Sequence, residues 1–107
     1  MIIYTHEDCL KKFNGTGHPE KKERLESIIS SIKSSNLQIE LRKAPLANIE
    51  IISLVHPKKH IEKIFANIPK EGLVGVEKEP YADTMLCPLS KNAILRSCGA
   101  GIAAADD

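Results

Sequence analysis

Histidine and cysteine are the side chains here best suited to chemistry, because imidazole and thiolate groups bind metals and act as bases or nucleophiles. His6 and Cys9 lie three residues apart in a short polar stretch. They could be two metal ligands, or a base and a nucleophile, but no neighbouring residue completes either set. We therefore interpret them as solvated loop residues and predict no catalytic residue in this chain.

A second pair, His56 and His60, has the four-residue spacing that places two metal-binding imidazoles on one face of a helix. Pro57 favours a helix that begins at that residue, which would leave His56 outside the helix and facing His60 poorly. Lys58 and Lys59 also make the surroundings positive. The sequence therefore disfavours a metal role, and we predict no metal ligand.

The segment Gly17-His18-Pro19-Glu20 is typical of a tight turn that leads into a helix. Turn chemistry accounts for the glycine, the proline and the acidic residue near the helix start, but not for His18. Arg24 is also unusual, because it precedes Leu25 at the start of an apolar stripe. Its charge suits an anion or a carbonyl group, or an ion pair with Glu20 or Glu23 on a solvated face. The residues alone favour the ion pair.

The composition of the 107 residues is that of an ordinary globular domain, with 42% hydrophobic and 27% charged residues. Fifteen basic and fourteen acidic residues give a net charge of +1, and only two Tyr and two Phe are present without Trp. Neither a basic field nor stacking platforms exist, so we expect no nucleic-acid partner. No apolar run approaches the roughly 20 residues of a membrane helix, and no secretory signal is recognisable. We expect no membrane partner, a cytoplasmic location and, from three cysteines, free thiols.

The elements that must position these residues follow from hydrophobic periodicity. Met1–Tyr4 is apolar and predicts a strand, whereas residues 6–17 form a polar loop. Residues 20–35 carry apolar residues at helical spacing, and residues 37–41 alternate like a strand with one covered face. The order strand, helix, strand favours an α/β architecture with a parallel pair.

The second half of the sequence predicts mainly helices. Asn48 is a candidate cap for a short helix, although the β-branched residues that follow would equally suit a strand. A further helix starts at His56-Pro57 and ends by Pro69. Residues 70–83 lack periodicity and predict a long surface loop. Ser90 is a candidate cap for the last helix, whose small residues around Gly99 and Gly101 would allow close approach of a neighbouring backbone. That helix has no glycine stop and ends in Asp106-Asp107, which predicts fraying or a longer chain.

Taken in order, these segments resemble the N-terminal part of the zinc-dependent histone deacetylase family, which includes acetoin-utilisation-type proteins and acetylpolyamine amidohydrolases. The resemblance covers essentially the whole chain. The matching positions are Tyr4, His6, Gly17-His18-Pro19-Glu20, Arg24-Leu25, Pro45, Leu54-Val55-His56, Ile61, Asp83-Thr84, Pro88, Ser90 and Gly99-Ala100.

The resemblance implies an α/β fold: the N-terminal fragment of an arginase/deacetylase-like three-layer fold, with a short parallel sheet and flanking helices. It implies that residues 1–107 are a single incomplete domain. By the same resemblance, His18 and Pro19 help to wall the acyl-lysine tunnel and Asp83 lies in a rim loop that contacts substrate. Arg24 matches an arginine beside an internal cavity. The implied substrate of the full-length parent is acetyl-lysine or an acetylated small molecule.

The family's zinc ligands, its adjacent histidine pair and its catalytic tyrosine have no matching positions here, since the chain contains no His-His and neither Tyr4 nor Tyr81 has the tyrosine's context. We therefore expect no cofactor in this chain, although zinc is expected in the full-length family member. We also expect no hydrolysis by this chain alone. The alternative is a non-catalytic, deacetylase-like interaction module. For the fragment, uncovered strand edges and apolar faces predict self-association; the module would instead bind a partner through the same face.

Overall fold

Residues 1–77 and 83–107 are described by the computed structural model of this chain. Strands are β1 (Ile2–Thr5), β2 (Glu40–Lys43), β3 (Val74–Gly75) and β4 (Met85–Leu86); helices are α1 (Lys22–Lys33), α2 (Ile49–Ile52), α3 (Lys58–Ala66) and α4 (Ser90–Asp106), with a 3-10 helix at Glu7–Leu10. The structure is a mixed α/β fold in which a short parallel sheet is flanked by helices. In the described part of the chain, no helix is both long and apolar enough to span a membrane.

The parallel pair predicted from the strand, helix, strand order is confirmed. β1 and β2 run parallel, with Ile2 opposite Glu40 and Thr5 opposite Lys43. β2 begins later than the alternating stretch at residues 37–41 because its partner strand determines the register. The amide of Glu40 donates to the carbonyl of Met1, and the ladder continues to the amide of Ala44, which donates to the carbonyl of Thr5 at 2.8 Å.

α1 forms where the apolar stripe predicts it, but it is only partly covered. Leu25, Ile29 and Ile32 are half-buried and Ile28 is exposed, so no residue of this helix belongs to the buried core. α1 contacts the 3-10 helix, which forms inside the stretch predicted as an irregular loop. His6 begins that 3-10 helix, because its Nδ1 accepts the N–H of Asp8 at 3.0 Å. A locally satisfied backbone explains why the polar stretch is ordered.

α4 is the element on which the core is built, and it packs against β1 and the 3-10 helix. Its buried residues include Ala93, Leu95 and Gly99. At Gly99 the predicted close approach is confirmed: a Cβ atom there would lie 1.8 Å from the carbonyl oxygen of Pro45. The same segment continues to Ala47, whose amide donates to the carbonyl of Leu95 at 2.9 Å. At Gly101 no atom lies within 4 Å of the position that a Cβ would take, so the close approach predicted there is wrong.

Two predictions in the C-terminal half are corrected. The loop predicted over residues 70–83 contains β3, which pairs antiparallel with β4; residues 78–82 of that loop lie outside the described residues. Ser90 is the first residue of α4 rather than its cap. Its hydroxyl accepts the N–H of Cys87 at 2.8 Å, so it satisfies the preceding turn instead of the helix.

The two other predicted helices are confirmed. Asn48 caps α2, because its side-chain oxygen accepts the N–H of Glu50 at 2.8 Å. α3 begins at Lys58 with Pro57 as its N-cap, one residue later than predicted. The end of α4 does not depend on a glycine stop: Asp107 accepts a hydrogen bond from the hydroxyl of Tyr4 and pairs with Arg42 at 3.4 Å. This cation on β2 offsets the unfavourable position of a carboxylate near a helix C-terminus.

Candidate functional site

A cleft of about 600 Å³ opens at the carboxyl ends of β1 and β2, between the start of α1 and the face of α4. Thr5 and Ala44 lie at the two strand ends and contribute to its wall. In α/β sheets, ligands bind at this edge. Three of the four site residues predicted from the sequence, His18, Asp83 and Arg24, line the cleft. Pro19 is exposed beside them.

His18 joins two segments that are far apart in the sequence. Its Nδ1 accepts the N–H of Glu20 at 3.0 Å, and its Nε2 lies 3.0 Å from the carbonyl oxygen of Asp83. Because Nδ1 accepts, the proton is on Nε2 and is donated to that carbonyl. Both ring nitrogens are therefore engaged by backbone groups, and the ring holds the segment at Asp83 against the turn before α1.

Asp83 presents its carboxylate to solvent, with 92% of the side chain exposed and one oxygen 3.6 Å from Nε2 of His18. A contact this exposed contributes little to stability, so the carboxylate is available to a ligand. The backbone of Asp83, by contrast, is fixed by His18 on one side. The structure therefore brings these two residues together at the rim of the cleft.

Glu20 organises the turn, which the sequence did not indicate. Its N–H is bound by His18, and its carbonyl accepts the side-chain amide of Asn14 at 2.8 Å. Its carboxylate pairs with Arg24 at 3.1 Å, and both side chains are more than half exposed. Of the two partners weighed for Arg24, the ion pair on a solvated face is the one observed; the assignment of Arg24 to an internal cavity stays a prediction.

Glu77 fixes the far side of the rim loop. Its carboxylate accepts the Thr84 hydroxyl at 2.6 Å and the backbone amides of Thr84 and Asp83 at 2.9 and 3.1 Å. The hydroxyl of Thr84, with these amides, lowers the pKa of Glu77 from 4.5 to about 2. Because the pKa is lowered in the folded state, this stabilisation is fully present above about pH 4.5 and is lost as the pH falls through 2.

We expect Thr84→Val to raise the pKa of Glu77 toward 4.5, because the substitution removes the hydroxyl donor while keeping the side chain's shape and the backbone amide. A carbon-detected NMR titration of the Glu77 carboxyl measures this directly. An unchanged pKa in the variant would show that the hydroxyl does not bind the carboxylate.

Arg96 supports the floor of the cleft from α4. Its Nε donates to Asp8 at 3.1 Å and its Nη1 donates to the carbonyl of Ala44 at 2.9 Å, so it joins the 3-10 helix to the end of β2. The hydrogen bond from Arg96 lowers the pKa of Asp8. Sequence analysis missed this residue, because its partners are 88 and 52 positions away.

His6 and Cys9 also line the cleft, but they do not form a base and nucleophile. His6 Nδ1 is bound to the amide of Asp8. Burial raises the pKa of the Cys9 thiol, whose sulfur lies 3.9 Å from the carbonyl of Ala93. A thiol with a raised pKa is a poor nucleophile. The interpretation of the two as a catalytic pair is therefore not supported.

The residues do not fit the zinc ion that the resemblance implies. Across residues 1–77 and 83–107, no group of three or more His, Cys, Asp or Glu side chains could hold a metal ion. A hydrolytic zinc site needs about three protein ligands and an open position. No step through zinc can be derived from these residues.

The family of the chain follows from its sequence as a whole. No curated protein sequence matches it. The family model of the histone deacetylase domain matches residues 18–107, a span that starts at His18 and includes Arg24, Asp83 and the whole of α4. The chain therefore belongs to the histone deacetylase domain family.

Proposed function

We propose that this chain forms the substrate entrance of a metal-dependent deacetylase whose reactive centre is supplied by polypeptide other than residues 1–107. The substrate is an acetylated amide, either acetyl-lysine or an acetylated small molecule. The observation that carries the proposal is the hydrogen bond between His18 and Asp83 at the rim of the cleft, in a chain of the deacetylase family.

Each rim residue has a role that its surroundings support. The exposed carboxylate of Asp83 accepts N–H groups of the substrate, since ionised acceptors form the stronger hydrogen bonds. His18 positions Asp83 and is not a general base, because both of its nitrogens are occupied. Pro19 supplies an exposed apolar wall for the acyl-lysine stem.

Arg24 is proposed to serve a product carboxylate rather than the amide substrate. A guanidinium matches the planar geometry of a carboxylate such as acetate. Its present partner is the exposed Glu20, and an exposed pair of this kind costs little to exchange for another anion.

Hydrolysis by this chain alone is not expected, because deacetylation needs a metal site and a base for the attacking water. The test is the release of acetate from an acetyl-lysine peptide, followed by the acetate methyl signal in proton NMR, with zinc present and a zinc-only sample as the blank. We expect no release above the blank. Release of acetate by the pure chain would contradict the proposal that other polypeptide supplies the reactive centre.

A second candidate is an interaction module that binds another protein through uncovered apolar surface. It is favoured by Leu54 and Val55, which are 81% and 80% exposed, and by Leu41 on β2. The partner we propose is a second copy of this chain, because parallel sheets are normally covered on both faces and this sheet has two strands. Light scattering is expected to give a dimer or larger, and a monomer at high concentration would contradict self-association.

The transcript distinguishes the two candidates. An open reading frame that continues past Asp107 into an adjacent histidine pair supports the deacetylase entrance. A stop codon directly after Asp107 in an intact gene supports the module.

A further inference from the structure

The histidine pair formed by His56, just before α3, and His60, in its first turn, is outside the cleft and has no part in the proposed function. The rings of His56 and His60 lie with centroids 5.7 Å apart and planes inclined by 29°. Both side chains are exposed. The two rings are therefore neighbours, although His56 precedes the helix.

Backbone hydrogen bonds hold the two histidines in this arrangement. The amide of His56 donates to the carbonyl of Ile52 at 3.1 Å, which anchors it to the end of α2. Pro57 is extended, with φ −56° and ψ 141°, and it turns the chain into α3. The amide of His60 then donates to the carbonyl of Pro57 at 2.9 Å. Because these hydrogen bonds fix the backbone at both histidines, the two rings can change their relative position only by rotation about side-chain bonds.

The separation of the rings is close to that of two imidazoles on one cation. A nitrogen lies about 2.1 Å from a bound zinc ion, so two ring centres on one ion are about 4.5–5.2 Å apart for bond angles between square and tetrahedral. The observed 5.7 Å exceeds this range by little. Both side chains are exposed, so rotation about their side-chain bonds can turn a nitrogen of each ring toward one ion.

The charges nearby permit a cation. Lys58 and Lys59 lie between the two histidines in the sequence, and the ammonium group of Lys58 lies 3.7 Å from the carboxylate of Glu50. This carboxylate offsets part of the positive charge beside the rings, and the exposure of both side chains leaves the rest screened by water.

We propose that His56 and His60 form a two-histidine chelate for a divalent d-block cation, with water completing the coordination. Imidazole ligands suit Ni²⁺, Cu²⁺ and Zn²⁺. Water molecules supply the remaining positions, so the site takes an exchangeable ion and differs from a closed structural zinc site. The inference is independent of the proposed deacetylase role.

The test is a titration of the ¹⁵N-labelled chain with Ni²⁺, a paramagnetic ion that suits imidazole better than an exposed carboxylate. We expect amide signals to broaden first at residues 56–60. His56→Ala and His60→Ala should each weaken binding by about tenfold or more, because a single imidazole remains. Lys63→Ala, on the same helix, is the matched control and should bind as the unchanged protein does.

Broadening that starts at the cleft, near His6 or His18, would overturn the assignment. So would an affinity that neither histidine substitution changes. The broadening map of the unsubstituted chain answers the question even if a variant fails to fold.

Discussion

Replacing Gly99 by alanine is expected to destabilise the fold by about 2 kcal/mol or more, because the added methyl group would overlap backbone atoms of a neighbouring segment. The new Cβ would lie 1.8 Å from the carbonyl oxygen of Pro45 and 3.2 Å from the amide nitrogen of Ala47. Both atoms belong to the backbone, so neither can rotate away. Either α4 or the segment after β2 must move, and that segment also carries the hydrogen bond from Ala47 to Leu95.

The matched control is Gly101→Ala, two positions further along the same helix. Nothing lies within 4 Å of a Cβ at that position, so alanine gains only its better helix propensity, up to about 1 kcal/mol. Thermal unfolding of the two variants should show melting temperatures that move in opposite directions, down by about 10 °C and slightly up. A Gly99→Ala variant as stable as the unchanged protein would mean that α4 does not pack against Pro45 as described.

Arg96→Ala is also expected to destabilise the chain strongly, because it removes the link between α4, the 3-10 helix and the end of β2. The carbonyl of Ala44, a residue that is 1% exposed, loses a donor at 2.9 Å. A buried acceptor left without its donor costs about 1–3 kcal/mol. Asp8 loses its hydrogen bond to Arg96 at the same time, although Lys11 stays 3.6 Å from it, and its lowered pKa rises toward 3.8.

Arg24→Ala is the control for the loss of an arginine side chain. Its pair with Glu20 is more than half exposed on both sides, and such pairs contribute between zero and about 1 kcal/mol. Urea unfolding should therefore show a clearly larger loss in the free energy of unfolding for Arg96→Ala than for Arg24→Ala. If both variants lost the same free energy of unfolding, the hydrogen bond from Arg96 to Ala44 would not stabilise the fold as described.

The Asp8 pair also sets a pH dependence. The pKa of Asp8 is lowered in the folded chain, so its contribution is present above pH 3.8 and is lost as the pH falls below that value. Removing Arg96 should weaken this acid sensitivity as well as the overall stability.

Local patterns in the sequence predicted the regular elements well. The apolar stripe from Leu25 to Ile32 and the cap at Asn48 are short-range signals, and both elements form where these signals lie. The parallel pairing of β1 and β2 followed from element order alone. The close approach of a neighbouring backbone at Gly99 was predicted because glycine is unfavourable inside a helix, and close packing offsets that cost.

Contacts between distant segments were not predictable in the same way. The bond from His18 to Asp83 spans 65 residues, and the bonds from Glu77 to Thr84 connect a strand end to a loop that sequence periodicity does not define. The resemblance named His18 and Asp83 separately but gave no reason for their contact. Arg96 carried no signal, because an arginine on a helix is ordinarily solvated and its partners are fixed only by tertiary packing.

The same limit applied to the histidine pair. Spacing predicted a shared face and proline chemistry predicted poor facing, and the two arguments conflicted. In the structure the two rings lie 5.7 Å apart, although His56 precedes the helix and Pro57 is extended.

The central claim is that the rim formed by His18 and Asp83 contacts an acetylated substrate. The most direct measurement is an amide chemical-shift titration of the ¹⁵N-labelled chain with an acetyl-lysine peptide, compared with the same peptide unacetylated. An isolated wall of a pocket should bind weakly, with a dissociation constant of about 1 mM. We predict that the acetylated peptide shifts His18, Asp83 and Thr84 more than its unacetylated counterpart does. Shifts confined to other surfaces, or equal shifts from both peptides, would contradict the account.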